Sequence, residues 1–148
     1  MSRKGSRGGS LQGDTPRQRL RFDELTHQTG TDGRCRIAVQ LEWCGRSLRG
    51  EAEALETHHG RVRAAAQAAL GAALAAATGR IDFELVGVKA FRAFDGWVVV
   101  VRVIADGQGP AVRLLGASSS EDEDGLERAS ARAVLDATNR ILPRYVRG

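Results

Sequence analysis

The sequence predicts an α+β fold of two pseudo-symmetric βββα units, antiparallel sheets with helices packed on one face. Three observations predict it. Runs that alternate apolar and polar residues recur in groups between turn signals. An alanine-rich helical stretch follows each group, the first ending near Thr78 and the second written ERASARAVLDATNRIL, Glu127–Leu142. The length, 148 residues, suits one such domain plus a tail.

The elements follow in order. Residues 1–18 are mostly Gly, Ser, Arg and Gln without periodicity, which predicts a disordered basic tail, with the folded domain spanning residues 19–148. A short strand is expected from Leu20 to Thr26, and Gly30–Gly33 reads as a turn. Cys35–Trp43 alternates cleanly, with Ile37, Val39, Leu41 and Trp43 on one side. Cys44-Gly45 turns the chain, and Arg46–Ala54 returns with Leu48, Gly50, Ala52 and Ala54 facing inward, a hairpin. That inner face is small, so a helix can approach it closely. Thr57 is the expected N-cap of a helix from His58 to Ala77, with Val62, Ala66, Ala69, Leu70, Ala73, Leu74 and Ala77 as its apolar stripe. Gly79 supplies the stop.

The second half repeats the pattern. Arg80–Phe91 reads as a strand with Ile81, Phe83 and Leu85 on one face. WVVVVRVI, Trp97–Ile104, is almost continuously apolar, which predicts a strand covered on both faces, or one whose second face meets a partner. Turns are expected at Asp95-Gly96 and Asp106–Gly109. Ala111–Ser118 gives the last strand, with Val112, Leu114 and Gly116 on one face. A final helix is expected from Glu121 to Leu142, capped by Ser119 or Ser120, with Glu121–Asp124 at its positive end and Pro143 as its stop.

Composition narrows the function classes. Residues 1–21 hold six basic side chains against Asp14, a net +5, so of the chain's +4 the remainder contributes −1. The basicity therefore belongs to the tail, and a nucleic-acid role is expected only as an accessory one acting through it. No apolar run is long enough to span a membrane, and no apolar core follows the basic start as a secretory leader requires. Two cysteines, Cys35 and Cys44, are too few for a disulfide framework and lack metal spacing, so a reduced, cytoplasmic protein is expected. Arginine far outnumbers lysine, as in a GC-rich bacterial genome.

Candidate chemistry is sparse. His58 and His59 are adjacent, diverge by about 100° on a helix, and do not suit one metal ion. His27 has no partner recognisable in sequence. Glu121–Asp124 lacks the spaced ligands of a calcium loop and suits a helix start. There is no phosphate loop and no triad pattern. The sequence assigns no catalytic residue, no metal ligand and no cofactor. Asn139-Arg140 near the end of the last helix reads either as an interface or ligand contact or as a helix C-cap.

The second helix carries a resemblance. A-S-x-x-A-V-L-D-A-T-N-R, at Ala129, Ser130, Ala133, Val134, Leu135, Ala137, Asn139 and Arg140, resembles the last helix of the C-terminal regulatory domain of 2-isopropylmalate synthase and its homocitrate and citramalate relatives. Gly60, Val62 and Ala64 keep part of that family's first-helix motif, without its Pro and Asp. Leu85-Val86-Gly87-Val88 stands where the family carries a tyrosine-containing stretch. The resemblance implies a dimerising regulatory domain, here without the catalytic barrel, that binds an amino-acid-like effector. Under it, Gly60, Val62, Ala64 and Gly116 are the expected ligand-binding positions, and Val99, Val101, Asn139 and Arg140 the expected interface. Arg61 and Arg63 offer an alternative hold on an anion. The expected partners are a second copy, a small-molecule effector, and a partner enzyme if the chain is a ligand-free scaffold.

Overall fold

A computed structural model describes residues 19–77 and 79–145, so the expected basic tail and Thr78 lie outside the described residues. The chain forms β1 (Arg21–Thr29), β2 (Arg34–Trp43), β3 (Arg46–Leu55), α1 (His58–Ala77), β4 (Asp82–Ala93), β5 (Gly96–Asp106), β6 (Val112–Ser120) and α2 (Leu126–Thr138). The strands make two antiparallel sheets in sequential order, β1-β2-β3 and β4-β5-β6, each followed by its helix. This is the α+β fold of two βββα units that the alternation predicts.

Local chemistry sets the elements. β1 runs three residues past its expected end because Thr29 still pairs with Cys35 before the turn. Cys44 and Gly45 both take positive φ, 50° and 79°, as a two-residue hairpin requires. The β4–β5 hairpin turns on Phe94 and Asp95, at φ 54° and 61°, one residue earlier than Asp95-Gly96. Phenylalanine rarely adopts that region, so residue type alone does not mark it. The side chain of Phe94 ends up fully exposed at the hairpin tip.

The Thr57 Oγ1 accepts a hydrogen bond from the Gly60 N–H at 2.9 Å, the expected N-cap of α1. Beyond the expected stripe, Ala64, Ala65, Ala68, Ala72 and Ala76 are also buried. The helix is covered nearly all round because it touches β2 and β3, then α2, then β4 of the other unit. α2 does the same with β5, β6, α1 and β1. Alanine serves this crowding: it favours helix and keeps neighbouring backbones close.

The closest approaches repeat in both units. A Cβ on Gly50 of β3 would lie 2.0 Å from Ala68 O and 2.6 Å from Ala72 N. A Cβ on Gly116 of β6 would lie 2.1 Å from Ala133 O and 2.7 Å from Ala137 N. In each unit a glycine of the third strand thus seats against two helix residues four apart. The pseudo-symmetry extends to the packing contact itself.

The last helix is shorter than expected. Ser119 and Ser120 remain in β6, a 3-10 turn occupies Glu123–Gly125, and its cap is Asp122, whose Oδ1 accepts from Gly125 N at 3.1 Å. α2 ends at Thr138, and Leu142–Arg144 forms a second 3-10 turn. Asn139 itself keeps helical backbone, its N–H still bonded to Leu135 O, while its side chain reaches across the fold. Its Oδ1 accepts from Leu20 N at 2.8 Å and its Nδ2 donates to Leu20 O at 3.1 Å. One amide side chain thus satisfies both backbone groups of the residue that leads into β1. Asn139→Ala should lower stability by about 1–3 kcal/mol, the cost of stripping partners from a partly buried backbone pair. Urea unfolding measures it, and a loss of only a few tenths would mean the tie is not formed in solution.

Candidate functional site

The structure buries three of the expected ligand positions, Val62, Ala64 and Gly116, and half-buries Gly60. Val62 and Ala64 are buried in α1. A Cβ on Gly60 would lie 2.2 Å from Leu55 O, so its missing side chain admits the preceding strand end. Gly116 is closed by α2. The small residues allow a close approach, as the sequence suggests, but what approaches is the chain's own backbone. Ser130 of the A-S motif is fully buried and donates to Val62 O at 2.7 Å, joining the two helices.

Val99 and Val101 are buried beneath the helix side of β5. They belong to the core and not to the exposed surface that an interface position requires; Val98, Val100 and Ile104 face the other way. The sequence could not choose between the faces because both are apolar. Asn139 is spent on Leu20, although it also lines an open cleft of about 480 Å³ with Arg19, Arg21 and Arg132. Arg140 Nη1 donates to Leu115 O at 2.7 Å, while Asp136 accepts from Ala117 N at 3.0 Å. These two side chains occupy backbone groups along the outer edge of β6, which blunts that edge against pairing with another strand. Arg61 is committed to Glu56 at 2.9 Å and Glu127 at 3.2 Å.

Two features remain as candidate sites. The first is the outer face of β4-β5-β6. By register, Phe91 pairs with Val98, Lys89 with Val100, Val100 with Ala117, Arg102 with Leu115 and Ile104 with Arg113. Phe91 and Leu115 are exposed and Val98, Val100 and Ile104 half-buried. The corresponding face of β1-β2-β3 is different in kind. There Arg36 pairs with Glu51 and Glu53, Arg49 with Glu51, and Gln40 with Asp23. Two units of one design therefore carry one sheet covered by charged pairs and one mixed sheet, where Phe91, Val98, Val100, Ile104 and Leu115 sit among Lys89, Arg102 and Arg113.

The second feature is a polar cluster where the inner face of the first sheet meets the start of α1. Glu56 Oε1 contacts His27 Nε2 at 2.7 Å and accepts from Thr29 Oγ1 at 2.6 Å; its Oε2 accepts from Arg61 Nη1 at 2.9 Å. Hydrogen bonds from Thr29 and Arg61, with a smaller contribution from His27, hold the Glu56 carboxyl down at about 2. Beside it, the Cys35 thiol is 2% exposed. Burial first, then the Glu56 charge, pushes that thiol above its ordinary value. Such a thiol is a poor nucleophile at neutral pH. The sequence hides this cluster because β-pairing brings Thr29 to Cys35, and Glu56 folds over both only after two further strands.

The depressed Glu56 value fixes a pH dependence. A carboxylate held below its ordinary 4.5 stabilises the fold at higher pH, and that contribution is lost as pH falls toward about 2. Glu56→Gln should therefore melt below wild type at pH 6, with the gap narrowing as pH falls below 4.5. Thermal melts in parallel buffers test this, and a gap that stays constant to pH 3 would remove Glu56 from the acid response.

Among the described residues no helix is long and apolar enough to cross a membrane. No protein-family model matches the sequence, and a search of curated proteins finds no match.

Proposed function

We propose that this chain is a non-catalytic assembly module, a homodimer joined through the outer face of β4-β5-β6. The observation that supports it is the contrast between the two outer sheet faces. Charged ion pairs cover the first, whereas on the second Phe91, Val98, Val100, Ile104 and Leu115 stand beside Lys89, Arg102 and Arg113, an apolar patch with a basic rim. Equivalent sheets in equivalent units need no such difference unless one of them works against a partner.

A second copy is the occupant of choice. Three strands of nine or more residues present a face on the order of 400 Å² in plan. That is less than the roughly 600–1,000 Å² per partner of a standard interface and suits a weak dimer, and a two-fold axis lets one patch serve both sides. The resemblance of Ala129–Arg140 to a dimerising regulatory domain points the same way. Effector binding is the less supported form of the reading, because Gly60, Val62, Ala64 and Gly116 are taken up by packing. Free thiols at Cys35 and Cys44 suit a reducing, cytoplasmic setting.

Gel filtration with light scattering should give twice the chain mass at about 100 µM, shifting toward monomer on dilution as an interface of this size implies. A monomer throughout that range would overturn the reading and leave a foreign protein as the face's partner.

A further inference from the structure

We propose that His27, Cys35 and Glu56 form a binding site for a divalent transition-metal ion of the zinc type. One ligand atom from each residue, an imidazole nitrogen, the Sγ and a carboxylate oxygen, lies within 4.8 Å of the other two. Around tetrahedral zinc, with metal–sulfur bonds of about 2.3 Å and metal–nitrogen or –oxygen bonds of about 2.0 Å, ligand atoms sit roughly 3.3–3.8 Å apart. Seating an ion thus asks the His27–Glu56 contact of 2.7 Å to open by about 0.6 Å and Cys35 to draw in by up to roughly 1.3 Å.

The donor set selects the ion. A thiolate with an imidazole and one carboxylate favours zinc-like metals over magnesium or calcium, which take oxygen ligands. The surroundings complete it. Cys35 has only a weak bond to Leu55 O, at 3.8 Å, to give up. The His27 side chain is 34% exposed, which leaves a side for a water as fourth ligand. Arg61 anchors the far oxygen of Glu56 and is itself held by Glu127, so the carboxylate is oriented from behind. A divalent ion would bring the Cys35 thiolate, both carboxylates and Arg61 to zero net charge. Binding releases the Cys35 proton to solvent, so affinity must rise with pH.

The alternative use of these residues is a bare hydrogen-bond network around Glu56, and metal titration separates the two. The probes are Zn²⁺ and Co²⁺, added to the full chain without a histidine tag after dialysis against chelator. Zn²⁺ should bind with one equivalent per chain and raise the melting temperature, and chelator should reverse the rise. Co²⁺ should give a thiolate charge-transfer band with tetrahedral d–d absorption. His27→Gln and Cys35→Ser should each weaken binding by about 100-fold or more, since even outer partners of a metal are worth roughly 10–100-fold. Cys44→Ser should leave binding unchanged, because that thiol lies at the opposite end of β2, roughly 30 Å away. So should a double change of His58 and His59 to Gln. Should Cys35→Ser fail to fold, His27→Gln at its half-exposed position decides alone. No stoichiometric binding, a cobalt spectrum without the sulfur band, or binding that depends on Cys44 or His58 instead would each overturn the proposal. The dimer has its own readout, so either proposal can fail without the other.

Discussion

Gly116→Ala is expected to destabilise the protein by about 3 kcal/mol or more, at or beyond the upper end of ordinary overpacking. The added methyl would sit 2.1 Å from Ala133 O, 2.7 Å from Ala137 N and 2.9 Å from Ala137 Cβ. Two of these three are helix backbone atoms, so no side chain can swing aside to make room. α2 cannot retreat either, since α1 and β1 press on it from other sides. Gly50→Ala should behave the same way against Ala68 and Ala72, at 2.0 and 2.6 Å. A loss of this size lowers the melting temperature by roughly 10 °C for a domain of this length. Gly87→Ala is the comparison. It lies at the β4 bulge with nothing within 4 Å of the added carbon and φ outside the left-handed region, so it should cost little. Urea melts of the three variants decide the matter. Equal losses in all three would mean that glycine's backbone freedom, and not the helix seat, is what these positions need.

The second large effect separates two neighbours in β5. Val101→Glu should fail to fold, because Val101 is fully buried beneath the helices and a carboxylate there has no partner. Val100→Glu should fold with a melt only slightly below wild type, since its side chain stands on the open face. In the proposed dimer the same change should be severe. A carboxylate near the middle of a two-fold interface would be desolvated and meet its own image, with Lys89 beside it as a partial partner, and like-charge juxtapositions cost several kcal/mol. The dimer dissociation constant should rise by about 100-fold or more, leaving a monomer in light scattering. A Val100→Glu protein that stays dimeric would move the interface off this sheet.

How much of this was legible beforehand differs between the halves. Ile37, Val39, Leu41 and Trp43 alternate with polar residues, so both the strand and its buried side follow from period alone, and the structure buries all four. β5 lacks that contrast. Its run of valines reveals a strand but not which valines face the helices, so an interface expectation at Val99 and Val101 has no pattern to separate them from Val98 and Val100. The α-helix ends before Leu142 although Asn139–Ile141 still reads as helix, and the side-chain tie from Asn139 to a residue 119 positions away has no signature in local sequence. The His27, Cys35 and Glu56 cluster was invisible for a related cause. No spacing rule connects three residues that meet only through two strand pairings and a helix entry.

That bond between Leu20 and Asn139 also orders events at the ribosome. The residue that opens the first strand finds its backbone partner in a side chain made 119 residues later. The Leu20 backbone therefore lacks this partner for as long as the whole second unit is being synthesised. The chain is latched shut only when its last helix leaves the exit tunnel.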